Sequence, residues 1–224
     1  MTEQVGVRPD PPEGLVRAQR LAIAVAEKVA GEVAAGQTEI ETHAWANSLI
    51  ESGGGTGTWT MTNVGFGAGT LRCFPTEPPT QRPLWNIDLG TVDVHPVTAD
   101  GWWGDCTRSF TRGDNPGYRA ALEEIAHIHA TTLAAARPGM RACDLFAAFD
   151  EALRPTGLKL LDRLNNIGHS LGRSTSYDLG YLDPWNQTRL YGAWAVEPFV
   201  GNHLWGVKLE DVIWFGPKRC TVIR

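Results

Sequence analysis

Apolar residues recur at helical spacing over residues 13–35, where Leu15, Ala18, Leu21, Ala22, Val25, Val29 and Val33 form one stripe. The pattern predicts a long amphipathic helix that ends near Gly36. Thr38 followed by Glu41 has the form of a capping box and opens a second helix. Ile40, Ala44, Leu49 and Ile50 are its apolar stripe, and Gly53-Gly54-Gly55 stops it. Residues 56–64 are rich in strand formers, and a Gly- and Pro-rich passage follows. Residues 89–97 then read as one strand and residues 102–110 as a second, with the reversal at Ala99-Asp100-Gly101. A third helix is predicted over 118–136, with Leu122, Ile125, Ile128 and Leu133 inward. A fourth covers 143–153. Strands are expected around Ile167 and over 194–200, 207–214 and 220–223.

The order of long helix, Gly, short helix, Gly thus occurs twice. Gly36 and Gly139 correspond, as do Ile50 and Leu153, at the same offset of 103 residues. This suggests two similar halves of an α+β fold. Composition shows no linker, so the 224 residues are expected to form one domain, with residues 1–12 as a flexible tail.

Carboxylates change the picture. Asp93 and Asp105 sit inside the two central strands, although Asp is depleted in strands. A buried Asp must be paired or bind a cation; an Asp facing solvent needs neither. The last third adds His169 in NIGHSLG, Glu197 in AWAVEPFV, and Glu210 in GVKLEDVIWFG. A Glu in a Val/Trp/Phe strand cannot stay ionised alone. A pair of divalent cations would account for all five residues together.

These motifs resemble the pita-bread metallopeptidases: methionine aminopeptidase, aminopeptidase P and prolidase. The strings VDVHPV, DGWWGDCTRSF, NIGHSLG, VEPFV and KLEDVI carry the resemblance in the family's order, from about Glu13 to the C-terminus. It implies a curved antiparallel sheet covered by helices, in two pseudo-symmetric halves. It also implies that Asp93 chelates one metal, that Asp105 and Glu210 bridge two, and that His169 and Glu197 hold the second. Mn, Fe, Co and Zn all suit such ligands. The implied reaction is metal-assisted amide hydrolysis.

The sequence departs from the family in two places. The spacing from Asp93 to Asp105 is one residue longer than usual, and Asp88 in IDLG is a rival first ligand. Asp93 is preferred, because Asp88 would demand a far longer insertion. The family's two catalytic histidines are also missing. Thr76 falls near the position of one and Ser176 at the position of the other. His95 and His203 are candidates to replace them, and Arg173, Trp103, Trp205 and Tyr177 to bind substrate.

The expected function is hydrolysis of a small peptide-like or amide substrate. Alternatives are a lyase or Fe-dependent oxidative step on a small metabolite, and a non-catalytic binding protein. The net charge of −5 argues against nucleic-acid and anionic-membrane partners. The four cysteines are scattered without a CxxC pair, which favours reduced thiols and a cytoplasmic setting over a disulfide framework or a zinc–thiolate site. A homodimer is compatible with this fold.

Overall fold

Helix α1 (Glu13–Glu32) turns Leu15, Ala18, Ala22, Val25, Ala26 and Val29 inward, so its predicted stripe is its buried face. In the computed structural model, which describes residues 8–224, it packs with α2 (Glu39–Ser52) on one half of the molecule. The capping box of α2 forms as expected. Thr38 Oγ1 accepts from Glu41 N at 3.2 Å, and Glu41 Oε2 accepts from Thr38 N at 2.8 Å. Residues 8–12 run against the body: Trp214 Nε1 donates to the Arg8 carbonyl at 3.1 Å. The rest of the expected tail, residues 1–7, lies outside the described residues.

The strands among the described residues are, in chain order, β1 (Gly55–Thr58), β2 (Asn63–Phe66), β3 (Leu89–Val94), β4 (Pro96–Thr98), β5 (Cys106–Thr111), β6 (Lys159–Leu160), β7 (Gly168–Gly172), β8 (Thr175–Tyr181), β9 (Gly192–Val196), β10 (Phe199–Gly201), β11 (Gly206–Lys208), β12 (Asp211–Phe215) and β13 (Cys220–Val222). Helices α3 (Pro116–Ala135) and α4 (Ala142–Leu153) lie between β5 and β6. The first half carries the antiparallel sheet β2-β3-β5 under α1 and α2. The second carries the five-stranded sheet β13-β12-β9-β7-β8 together with α3 and α4. Each half has its own core. Val92, Val94 and Phe110 meet α1 and α2 in one. Trp194, Val196, Ile213 and Phe215 meet α3 and α4 in the other. The two-halved α+β pita-bread arrangement is therefore present.

The central strands are shorter than predicted. Residues 89–97 split at His95 into β3 and β4, and the second arm begins as a strand only at Cys106. Asp93 pairs with Thr107, so Asp105 lies outside the ladder, just before β5. The stretches 194–200 and 207–214 split likewise, at Glu197-Pro198 and at Leu209-Glu210. Pro198 has no N–H for a ladder bond, which fixes one of these breaks. Where the chain leaves the ladder, a side chain no longer follows strict alternation. His95, Asp105, Glu197 and Glu210 all occupy such positions. Among the described residues no helix is long and apolar enough to cross a membrane.

Candidate metal centre

The break before β5 is held from outside the sheet. Gln19 on α1 is fully buried; its Nε2 donates to the Asp105 carbonyl at 2.7 Å and its Oε1 accepts from Asp105 N at 2.9 Å. Gly104 permits this approach, since a Cβ there would stand 2.3 Å from the Ala18 carbonyl oxygen. The break before β12 is tied across the halves. Glu210 N donates to the Thr107 carbonyl at 3.2 Å, and Thr107 Oγ1 donates to Glu210 Oε2 at 2.8 Å. Arg108 Nη2 binds Asp211 Oδ1 at 3.0 Å, and Arg108 Nη1 donates to the Glu210 carbonyl at 2.5 Å. Gln19 lies in no motif, and Thr107 and Arg108, although inside DGWWGDCTRSF, were given no role by sequence reasoning.

These supports bring Asp93, Asp105, His169, Glu197 and Glu210 to one place. Asp105 lies between two imidazoles: His95 Nε2 is 3.6 Å from its Oδ1, and His169 Nε2 is 3.4 Å from its Oδ2. His169 Nε2 is also 3.6 Å from Glu197 Oε1. Lys208 reaches in from β11, with Nζ 3.0 Å from Asp93 Oδ2 and 2.5 Å from Glu197 Oε2. This buried lysine, two residues before Glu210, was also missed. Its place in GVKLED, as a lone basic residue in an apolar run, was the available signal.

Burial by itself would raise the Asp93 carboxyl, but Lys208 and then His95 outweigh it and hold the group well below the usual carboxylate range. Glu210 goes the other way. Burial, then the charges of Asp105 and Glu197, push it well above the ordinary value. Burial would lower Lys208, yet Asp93 and Glu197 raise it well above the usual amine value. His169 rises because Asp105 and Glu197 outweigh its burial.

The donor set fits divalent cations. Asp93 Oδ1 and Glu210 Oε1 are buried without a hydrogen-bond partner among the described residues. Among the described residues four carboxylates converge on one ammonium and two imidazoles, a donor set that divalent cations would balance. The 3.2–3.6 Å spacings between imidazole nitrogens and carboxylate oxygens match neighbouring ligand atoms around one ion, whose bonds run to about 2.0–2.2 Å. His169 Nδ1 donates to the Ser170 carbonyl at 3.0 Å, which leaves the Nε2 lone pair to a cation. Asp88 is engaged elsewhere. Arg82 holds it through two bonds of 2.7 and 3.0 Å, and Trp85 N donates to it at 2.8 Å.

The cluster floors a cavity of about 330 Å³. Thr76 and Tyr177 line it, with the Tyr177 ring 4.4 Å from that of His169. Burial, then Glu197 and Asp105, raise the Tyr177 phenol well above its ordinary value, so it stays protonated. Ser176 Oγ lies 3.0 Å from His169 Nδ1 and donates to the Ser170 carbonyl at 3.2 Å, so it braces that ring. Trp103 is one layer back, stacked at 5.0 Å on Trp59, which does line the cavity.

Three candidates lie elsewhere. His203 is exposed in the turn between β10 and β11, because the short hairpin points that turn to solvent. Arg173 Nε donates to the Asp100 carbonyl at 2.8 Å, so it secures a surface loop. Trp205 packs edge-on against Tyr118 of α3. The guanidinium at the cavity rim is that of Arg163, which lies 4.1 Å over the Phe74 ring and 2.7 Å from Glu77 Oε1.

Two pseudo-symmetric halves closing on a carboxylate-rich, two-imidazole cluster define a pita-bread protein with a candidate metal centre. The model of metallopeptidase family M24 matches residues 13–216, and the chain belongs to that family. The fold is shared with the dipeptidase PepE of Mycobacterium ulcerans at TM-score 0.86 and 22% identity, over 99% of this chain and 60% of that one. It is shared with the prolidase of Pyrococcus furiosus at TM-score 0.83 and 21% identity, over 94% of this chain and 62% of that one. The methionine aminopeptidase of Thermotoga maritima matches at TM-score 0.80 and 15% identity, over 97% of this chain and 98% of that one. The chain thus spans about three-fifths of the length of the dipeptidase and the prolidase. No curated protein matches it by sequence.

Proposed function

We propose that the chain is a metal-dependent hydrolase that cleaves a short peptide or small amide at this centre. The observation that carries the reading is the pair of unpartnered buried oxygens, Asp93 Oδ1 and Glu210 Oε1, within the cluster of opposed carboxylates. Asp93, Asp105, His169, Glu197 and Glu210 would hold two divalent ions. When bound, such ions polarise a carbonyl and make water nucleophilic near neutral pH. The chain's own residues do the rest. Asp105, anchored through its backbone by Gln19, presents one oxygen to each side of the cluster. Ser176 and the Ser170 carbonyl fix the His169 tautomer. Tyr177 offers a phenolic O–H at the cavity wall, and Trp59 excludes water from one side. A cavity of about 330 Å³ suits a dipeptide-sized substrate better than an extended chain.

A second reading, a non-peptidase metalloenzyme acting on a small metabolite, is favoured by one feature. By the family resemblance Thr76 falls near the position of one catalytic histidine and Ser176 at that of the other, and Ser176 Oγ lies 3.0 Å from His169 Nδ1. Losing a placed acid–base group typically costs about 10²–10⁴-fold in rate.

The test is turnover by the full chain, reconstituted separately with Mn²⁺, Co²⁺, Zn²⁺ and Fe²⁺. Met-, Ala- and X-Pro dipeptides are followed by mass spectrometry. Metal-dependent cleavage of any of them supports the hydrolase. Loaded protein that leaves all of them intact, and instead consumes oxygen or a metabolite with Fe²⁺, favours the second reading.

A further inference from the structure

The five ligands proposed above leave the Asp93 side of the cluster short of donors. The two oxygens of Asp93 face different partners. Oδ2 accepts from Lys208 Nζ at 3.0 Å and lies 3.8 Å from Cys73 Sγ. Oδ1 is buried, has no hydrogen-bond partner among the described residues, and faces His95 Nε2 at 3.2 Å. A carboxylate oxygen already accepting from an ammonium is the poorer donor to a cation, so Oδ1 is the oxygen Asp93 has free. A further donor beside Oδ1 would complete that side of the cluster.

His95 stands where the missing donor is needed. Its Nε2 is 3.2 Å from Asp93 Oδ1 and 3.6 Å from Asp105 Oδ1. Asp93, His95 and Asp105 are all buried, and each offers one ligand atom within 4.8 Å of the others. The local chain explains the placement. His95 follows Asp93 by two residues, in the gap between β3 and β4, and its ring turns back toward the Asp93 carboxylate. The ladder opens at His95, between β3 and β4, before Pro96 resumes pairing with Thr58 of β1. An ordinary core histidine would satisfy both ring nitrogens with protein groups. Here Nδ1 has no partner among the described residues and Nε2 points at two carboxylates.

We propose that His95 is a metal ligand through Nε2, and that with Asp93 Oδ1 and Asp105 Oδ1 it holds the ion on the side opposite His169. The inference rests on the reading of the cluster as a divalent-cation site. It gives the centre one imidazole for each ion. Nitrogen donors suit Zn, Co, Ni and Fe better than the oxygen-preferring Mn and Mg, so the pair of imidazoles moves the preference of the whole centre toward borderline metals.

The test uses the full chain with isotope-labelled histidine nitrogens, loaded with spin-active cadmium as a probe for Zn-type sites. Cadmium–nitrogen scalar coupling is expected at Nε2 of two histidines, one of which disappears in His95→Gln. By titration calorimetry with Zn²⁺, His95→Gln should bind one equivalent at least about 10²-fold more weakly, since even outer-shell partners of a ligand are worth about 10–100-fold. The other equivalent should be nearly unchanged. Coupling at His169 alone, or a His95→Gln titration that superimposes on the wild type, overturns the assignment of His95 and leaves the metal centre standing. Wild-type protein that takes up no cadmium or zinc overturns both. The wild-type coupling pattern decides the matter even should His95→Gln fail to fold.

Discussion

Lys208→Met would isolate what the Lys208 ammonium contributes to the cluster. Methionine keeps the length of the stem and removes the ammonium that spans Asp93 Oδ2 and Glu197 Oε2 at 3.0 and 2.5 Å. The side chains of Lys208, Asp93 and Glu197 are 9%, 5% and 16% exposed, so solvent screens the pair little. Breaking a buried ion pair by deleting one partner costs about 3–5 kcal/mol. Protonation sets an independent ceiling. An Asp93 left with His95 alone can pick up a proton, and doing so at pH 7 from an ordinary value near 4 costs about 4 kcal/mol. The two figures agree, and protonation makes a further claim. At pH 5 the same step costs about 1.5 kcal/mol, so the damage should shrink on acidification. For a chain of this size about 4 kcal/mol is about 8–16 °C in Tm. The assay is thermal and urea unfolding of wild type and Lys208→Met, each after EDTA treatment and after loading with Zn²⁺, at pH 7 and pH 5. The chelated variant should be the least stable sample at pH 7 and should regain most of the loss on loading, because a divalent ion supplies the missing charge. A chelated variant within about 1 kcal/mol of wild type at pH 7 would refute the claim that Lys208 balances the carboxylates.

Two further outcomes follow from the same contacts. Asp105→Asn should keep its fold, because Gln19 holds the backbone and not the carboxylate. It should nevertheless retain less than one ion per chain by metal analysis, and two ions bound with wild-type affinity would contradict its place between the two imidazoles. His129 is buried, with Nε2 3.2 Å from the Val196 carbonyl; burial lowers its pKa, Arg108 and Arg224 add to that, and Asp211 opposes it. Because its folded pKa lies below the ordinary value of about 6.5, the unfolded chain takes the proton first, so stability is full above that value and falls as pH drops toward the folded pKa. The wild type should therefore lose more stability than His129→Gln between pH 7 and pH 5 in urea melts, and parallel losses would exclude this origin.

Much of the fold was legible because its signals are local. The stripe of α1, the Thr38–Glu41 box of α2 and the glycines after each helix pair are satisfied within a few turns of chain, and they appear where spacing places them. The central strands were drawn too long for a related reason. Apolar residues continue on both sides of His95, Glu197 and Glu210, while the ladder itself is set by partners far away in sequence. A ladder can open without any change in the pattern of the strand that leaves it. The preference for Asp93 over Asp88 rests on spacing; in the structure both Asp88 oxygens accept from Arg82. His203 and Arg173 show the limit of such reasoning. Each lies near a ligand along the chain, yet a tight turn carries one to solvent and a surface loop occupies the other.

By itself the sequence determined the helices, the two-halved order of elements, the family, and the kinds of donor available. It could do so because helical period, capping and motif order are properties of neighbouring residues. Only the tertiary structure decided which donors meet. Gln19 holds Asp105 across 86 residues, Lys208 meets Asp93 across 115, and Thr107 meets Glu210 across 103. Side-chain direction at a ladder break depends on the packing of the opposite half, and that packing is absent from any local stretch of chain.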